Sequence, residues 1–273
     1  MLWLILAIVL LIAFFLFLIF PARASREARE TFGCRVYAHR GLYEPDQSVP
    51  ENSLPAFRRA VAAGYGSELD VQLTKDGQIV VLHDDNMKRA CGVDSRVCDH
   101  TFEELQSFPL FGTEERIPLF SDVLKIYDGR QPLIVELKFL APNVKELCEA
   151  VRLMLADYRG PACVESFSPL VVRYFRLKDP SRVRGQLSQS AGAWKGKLRS
   201  WQGFIFSRML LNFLARPQFI AYGIGPKSWP VRLCEALGPM KVCWTARDAA
   251  LHDKLMAEND AVIFEGYQPG SNQ

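Results

Sequence analysis

The first twenty positions, MLWLILAIVLLIAFFLFLIF, carry no charged or polar side chain, and the pattern breaks abruptly at Pro21. A helix rising 1.5 Å per residue over such a run spans about 30 Å, the thickness of a bilayer's hydrocarbon core. Residues 1–20 are therefore read as one transmembrane helix. A cleaved secretory signal is the alternative, because Ala22-Arg23-Ala24 offers a small-residue cleavage site. Against it, no basic segment precedes the run, which is longer than the about 7–15 apolar residues of a signal. Residues 21–34 are polar and read as a juxtamembrane linker.

Beyond the linker, short β-rich runs alternate with stretches of helical period. Strands are expected at 35–38, 67–73, 132–137, 162–167, 183–187, 219–222, 241–245 and 261–264. A further strand pair spans 73–82, with Asp76-Gly77 as its turn. Glu51-Asn52-Ser53-Leu54-Pro55 reads as a helix start, with Asn or Ser as cap, Pro in the first turn and a stop at Gly64. Apolar residues at 144, 147, 151 and 155 mark a second helix over 143–158. Eight strands separated by helical stretches imply parallel pairing and closure, an α/β TIM (β/α)8-like barrel over 35–270 preceded by the transmembrane helix.

Composition changes this picture little. With 49% hydrophobic and 23% charged residues the chain can bury a large core, and a net charge of +3 gives no reason to expect nucleic-acid binding. Arg23, Arg26, Arg29 and Arg35 follow the apolar run, so the positive-inside rule puts the barrel on the cytoplasmic side of a single-pass cell-membrane protein. Seven cysteines without CxxC or CxxH spacing read as scattered reduced thiols.

Candidate chemistry sits at the strand ends. His39 and His83 each close an expected strand beside charged residues, whereas His100 and His252 read as surface residues. Glu68 and Asp70 lie two apart on one strand and share a face. Glu136 lies within the apolar run Leu133-Ile134-Val135-Glu136-Leu137. Buried carboxylates without partners cost several kcal/mol each, and three of them from two strands suit one hard divalent cation, Mg²⁺ or Ca²⁺. A buried ion pair of Glu136 with Lys138 accounts for the pattern equally well.

Tyr37-Ala38-His39-Arg40-Gly41 and Pro50-Glu51-Asn52-Ser53-Leu54-Pro55-Ala56-Phe57 resemble the opening signature of glycerophosphodiester phosphodiesterases. Glu68-Leu69-Asp70-Val71-Gln72-Leu73-Thr74-Lys75-Asp76-Gly77, Val80-Val81-Leu82-His83-Asp84, Ile117-Pro118-Leu119 and Glu136-Leu137-Lys138 follow in the family's order. The resemblance implies Glu68, Asp70 and Glu136 as metal ligands, and His39 and His83 as acid–base pair. It further implies Arg40 and Lys138 at the substrate phosphate and Trp244 at the pocket rim. The family's closing turn departs here, reading Phe264-Glu265-Gly266-Tyr267-Gln268-Pro269.

The activity expected from the resemblance is hydrolysis of a glycerophosphodiester to glycerol 3-phosphate and an alcohol. A lysophospholipase D acting on lysophospholipids at the membrane is the alternative, and a catalytically inactive membrane scaffold is a third reading. From Pro180 to Cys234 there is no Asp or Glu, while Lys, Arg and aromatic residues interleave. Within it, 201–214 reads as one apolar helix interrupted by Arg208. Residues 194–229 are thus either an ordinary barrel segment or a second contact with anionic lipid.

Overall fold

The computed structural model describes residues 1–196 and 198–269. Lys197, counted in the basic stretch, and residue 270, the expected end of the barrel domain, lie outside the described residues. Helix α1 (Leu2–Ile19) is followed by α2 (Arg26–Phe32), then by β1 (Arg35–His39), α3 (Leu54–Ala62), β2 (Gly66–Leu73) and β3 (Ile79–Val81). Two one-turn helices, α4 (Lys88–Cys91) and α5 (Phe102–Leu105), precede α6 (Phe120–Tyr127). The rest alternates as β4 (Leu133–Leu137), α7 (Val144–Asp157), β5 (Ala162–Ser166), α8 (Pro169–Lys178) and β6 (Arg184–Ser188). After β6 come α9 (Ser200–Ser207), α10 (Asn212–Ala215), β7 (Phe219–Gly223), α11 (Trp229–Ala236), β8 (Met240–Ala246), α12 (Ala249–Glu258) and β9 (Ala261–Phe264).

β1 pairs in parallel with both β2 and β9, which closes β1, β2, β4, β5, β6, β7, β8 and β9 into a barrel. β3 stands outside it, antiparallel to β2, with Leu73 opposite Ile79 across the Asp76-Gly77 turn. β2, β4 and β5 are buried on both faces, as parallel strands covered by helices must be. Their outer side meets α3, α6, α7 and α8 through Phe57, Phe120, Tyr127, Leu147, Val151 and Phe175. The expected caps are in place: Ser53 Oγ accepts from Ala56 N at the start of α3, and Gly64 follows its end at φ 80°.

Two readings change. The segment read as a linker is helical over Arg26–Phe32, capped by Ser25 Oγ accepting from Ala28 N (3.0 Å). Its Ala28 and Phe32 pack on Ile134, Cys163, Phe219 and Met240, so α2 forms the floor at the N-terminal ends of the strands. Arg29 fastens it, pairing with Asp260 (2.9 Å) and donating to the Gly238 carbonyl (2.8 Å). The single helix expected over 201–214 is instead α9 and α10, separated at 208–211. Met209 takes a left-handed backbone (φ 59°) there and is buried with Ile220 and Tyr222, while Arg208 turns out over the Phe204 ring. Burying Met209 breaks the helix that local hydrophobicity alone would continue.

Among the described residues α1 is the one helix long and apolar enough to cross a membrane, with a mean hydropathy of 3.3. The seven cysteines are free thiols.

Candidate active site

Parallel strands deliver their last residues to one end of the barrel, and all the singled-out residues collect there. His39 ends β1, Glu68 and Asp70 lie on β2, and Glu136 with Lys138 closes β4. The register sets Asp70 opposite Glu136 and Glu68 opposite His39. His83 is drawn in by the Leu82 amide, which donates to the Asp70 carbonyl (3.0 Å). Gln72 Nε2 clamps the same turn by donating to the carbonyls of Leu82 (2.9 Å) and Asp84 (2.8 Å).

Oxygens of Glu68, Asp70 and Glu136 lie within 4.8 Å of one another, and all three residues are buried. Lys138 Nζ bridges Asp70 (2.7 Å) and Glu136 (2.9 Å), so the ion pair and the acidic cluster expected as alternatives coexist. Glu68 Oε2 has no hydrogen-bond partner among the described residues. Burial pushes the Glu68 carboxyl well above the usual range, and Asp70, Glu136 and Glu165 add to it. Burial also pushes Asp70 up, but Lys138, His83 and Arg40 outweigh it and hold its carboxyl well below that range. Four buried carboxylates, counting Glu165, face two fixed cations, Lys138 and Arg40. A divalent cation ligated by Glu68, Asp70 and Glu136 would restore the balance and satisfy the orphaned oxygen, so these residues fit such an ion.

Each imidazole has a carboxylate on Nδ1. His39 Nδ1 meets Glu265, and His83 Nδ1 lies 2.7 Å from Asp84. With Nδ1–H donated to the carboxylate, each ring turns Nε2 to the cavity, where it accepts a proton when the ring is neutral and gives one when the ring is protonated. Burial, then Arg40, lowers the His39 pKa below 6.5, against an upward push from Glu265. Arg40 donates to Glu51 (2.7 Å), Glu51 accepts from Arg89 (2.6 Å), and Arg89 donates to Asp84 (2.6 Å), an ionic chain from Arg40 to the His83 partner.

The backbone is bent to suit this. Arg40 lies at φ 56° and Asn52 at φ 56°, conformations that side chains seldom adopt. Asn52 N donates to the Arg40 carbonyl (2.8 Å), and Asn52 Nδ2 to Asp70 (2.9 Å). Gly41 follows at φ 80°, and a Cβ there would meet the Ala56 backbone at 2.9 Å, so Gly is required between His39-Arg40 and α3.

A cavity of about 780 Å³ opens over these groups and is lined by His39, Arg40, Glu68, His83, Glu136 and Lys138. Its other wall is apolar: Phe139, Leu140, Phe167, Leu187, Trp194, Leu198 and Trp244. Phe167 stacks edge-on between Trp194 (5.4 Å) and Trp244 (5.8 Å).

Glu51, Asn52, Asp84, Glu165 and Glu265 were not singled out from sequence. Glu165 carried the same signal as Glu136, an acid inside an apolar strand, and its neighbour in register is Glu136. Glu265 stood in the departing closing turn, with no local sign of its contact to His39. His100 and His252 are half-buried rather than surface residues, bonded to Ser95 (2.7 Å) and Tyr267 (2.8 Å), and neither lines the cavity.

The family model described as glycerophosphoryl diester phosphodiesterase family matches residues 39–265. A glycerophosphodiester phosphodiesterase of Caldanaerobacter subterraneus subsp. tengcongensis is 39% identical over 56% of this chain and 66% of its own length. A lysophospholipase D of Rattus norvegicus is 32% identical over 55% of this chain and 49% of its own. The chain spans 66%, 62% and 44% of the first three curated relatives it matches. A Thermotoga maritima glycerophosphodiester phosphodiesterase structure superposes with a TM-score of 0.62 at 26% identity, covering 84% of this chain and 93% of that one. An Oleispira antarctica phosphodiesterase, solved with its product sn-glycerol-3-phosphate, shares the fold with a TM-score of 0.69 at 23% identity, covering 86% and 94%.

Proposed function

The chain belongs to the glycerophosphoryl diester phosphodiesterase family, and we propose that it hydrolyses glycerophosphodiesters to glycerol 3-phosphate and an alcohol. The observation that carries this reading is the clustering of three carboxylates, Asp70 buried behind Glu68 and Glu136, with two carboxylate-oriented histidines at one cavity. A divalent ion, Mg²⁺ or Ca²⁺, held by Glu68, Asp70 and Glu136 would offset the negative charge that builds at phosphorus. Arg40 and Lys138, held by Glu51, Asp70 and Glu136, present cations to the non-bridging oxygens. His39, neutral at neutral pH, accepts the proton of the attacking hydroxyl at Nε2 while Glu265 holds its tautomer. As the new P–O bond forms and the old one breaks, His83 gives a proton to the departing alkoxide. Trp244 closes the cavity wall beside the leaving group.

A second reading, lysophospholipase D, has its own support. The wall of Phe139, Leu140, Phe167, Trp194 and Leu198 is more than a glycerol or choline needs and suits an acyl chain. The rat relative carries that activity in its name. We also read α1 as a single-pass anchor in the cell membrane, residues 194–229 as a lipid contact, and the barrel as cytoplasmic, from Arg23, Arg26, Arg29 and Arg35.

The test uses the purified full chain with glycerophosphocholine and lysophosphatidylcholine, with Mg²⁺ or Ca²⁺ and with chelator. Release of glycerol 3-phosphate from glycerophosphocholine that stops on chelation and in His39→Ala is expected, and release of lysophosphatidic acid from lysophosphatidylcholine marks the second reading. Turnover untouched by chelator refutes the metal assignment, and full activity in His39→Ala refutes the acid–base scheme.

A further inference from the structure

The last turn of α1 is seated on the barrel. Ile19 is fully buried, and its carbonyl accepts from Asn212 Nδ2 (3.1 Å). Arg216 Nη1 donates to the Phe20 carbonyl (2.6 Å), and Ala22 N to the Pro217 carbonyl (2.9 Å). Residues 216 and 217 lie just before β7, at the N-terminal end of the barrel. Farther back along α1, Phe15 packs on Trp229 with ring centroids 4.9 Å apart. Trp229 opens α11, which follows the C-terminal end of β7. Traced from Phe20 back to Phe15, α1 therefore runs along the wall in the direction of β7. Residues 2–14, all exposed, continue the helix in that direction, toward the end on which the cavity opens.

A bilayer that α1 enters on this side faces the cavity-bearing end of the barrel. The side chains at that end suit such a contact. Trp201, Phe204, Ile224 and Trp229 are 60%, 50%, 46% and 65% exposed, and Leu140, 63% exposed, also lines the cavity. Arg208 lies 3.9 Å over the Phe204 ring, where it covers apolar surface and still reaches headgroups. α9 packs on the cavity wall through Phe206 and Trp194 (5.9 Å). No acid interrupts the sequence from 180 to 234.

We propose that the cavity-bearing end of the barrel is a membrane-docking surface. The rim of Leu140, Trp201, Phe204, Ile224 and Trp229 rests in the interface of an anionic leaflet, and the cavity opens among headgroups and takes its substrate from that leaflet. This rests on reading α1 as a retained anchor.

The experiment places the full chain in phosphatidylcholine–phosphatidylglycerol liposomes carrying acyl-brominated lipid. Emission from Trp201, taken as the difference between the full chain and Trp201→Phe, is expected to be quenched. An indole introduced by Ala257→Trp, at the exposed far end of α12, is expected to be unquenched. Quenching at 257 but not 201, at both alike, or at neither overturns the docking surface. Release of the chain by alkaline carbonate would instead remove the anchor reading, and the docking surface with it. In the same liposomes the double variant Trp201→Glu, Phe204→Glu is expected to lose lysophosphatidylcholine hydrolysis while keeping glycerophosphocholine hydrolysis. Equal loss of both substrates counts against the docking surface.

Discussion

At the scale of single residues, the two imidazoles are distinguished by what surrounds them. His39 is buried beside Arg40, which favours its neutral form, and Glu265 opposes that push. Replacing Glu265 by Gln removes an upward push, so the acid limb of kcat/KM is expected to move to lower pH. At the same time kcat falls because the ring loses its tautomer lock. His39→Ala, by contrast, is expected to lose about 10²–10⁴-fold in kcat with no shifted limb. Glu265 itself is lowered from 4.5 to about 2: burial raises it, but His39 and Arg247 outweigh burial. Its contribution to stability is therefore present above pH 4.5 and lost as pH falls toward 2, a loss that thermal melts across that window should register and Glu265→Gln should abolish.

At the scale of elements, α2 decides what a truncated chain can do. Deleting residues 1–24 removes α1 and leaves the floor intact, so a folded barrel is expected by circular dichroism and melting. Deleting residues 1–34 also removes Ala28, Phe32 and the Arg29–Asp260 pair, exposing the inner apolar ends of the strands. That chain is expected to aggregate or melt non-cooperatively. Phe32→Ala alone should cost about 3–5 kcal/mol, as large-to-small core changes do. If the shorter and longer deletions behave alike, α2 is no part of the barrel.

At the scale of the whole molecule, a divalent ion held in the acidic cluster would make stability depend on that ion. Saturation at one hundred times Kd adds about 2.7 kcal/mol to the folded state, so Mg²⁺ or Ca²⁺ should raise Tm and chelator reverse it. In Glu68→Gln the ion-dependent rise should vanish. The metal-free variant should nevertheless melt no lower than the parent, because Gln keeps the neutral form that burial already favours in Glu68. A large destabilisation without ion would show that Glu68 serves the fold and not a cation.

The strands, the hairpin and the helices at 54–62 and 144–157 were legible because hydrophobic period, caps and turn residues are local properties. The clustered acids were legible for the same reason: spacing puts Glu68 and Asp70 on one face of a strand, and Glu136 stands out in an apolar run. Contacts between distant positions were not. Glu265 reaches His39 across 226 residues, and only closure of β9 onto β1 brings them together. The floor helix was hidden because Arg26–Phe32 is polar by composition and finds its apolar partners only in the closed barrel. The break at Met209 likewise follows from a buried niche beside β7 that no local pattern announces. Sequence by itself determined the elements, the barrel and the acids and histidines at its strand ends. Tertiary structure decided which charges pair, which helix plugs the floor and which way the apolar helix points, because those depend on through-space neighbours that chain order does not carry.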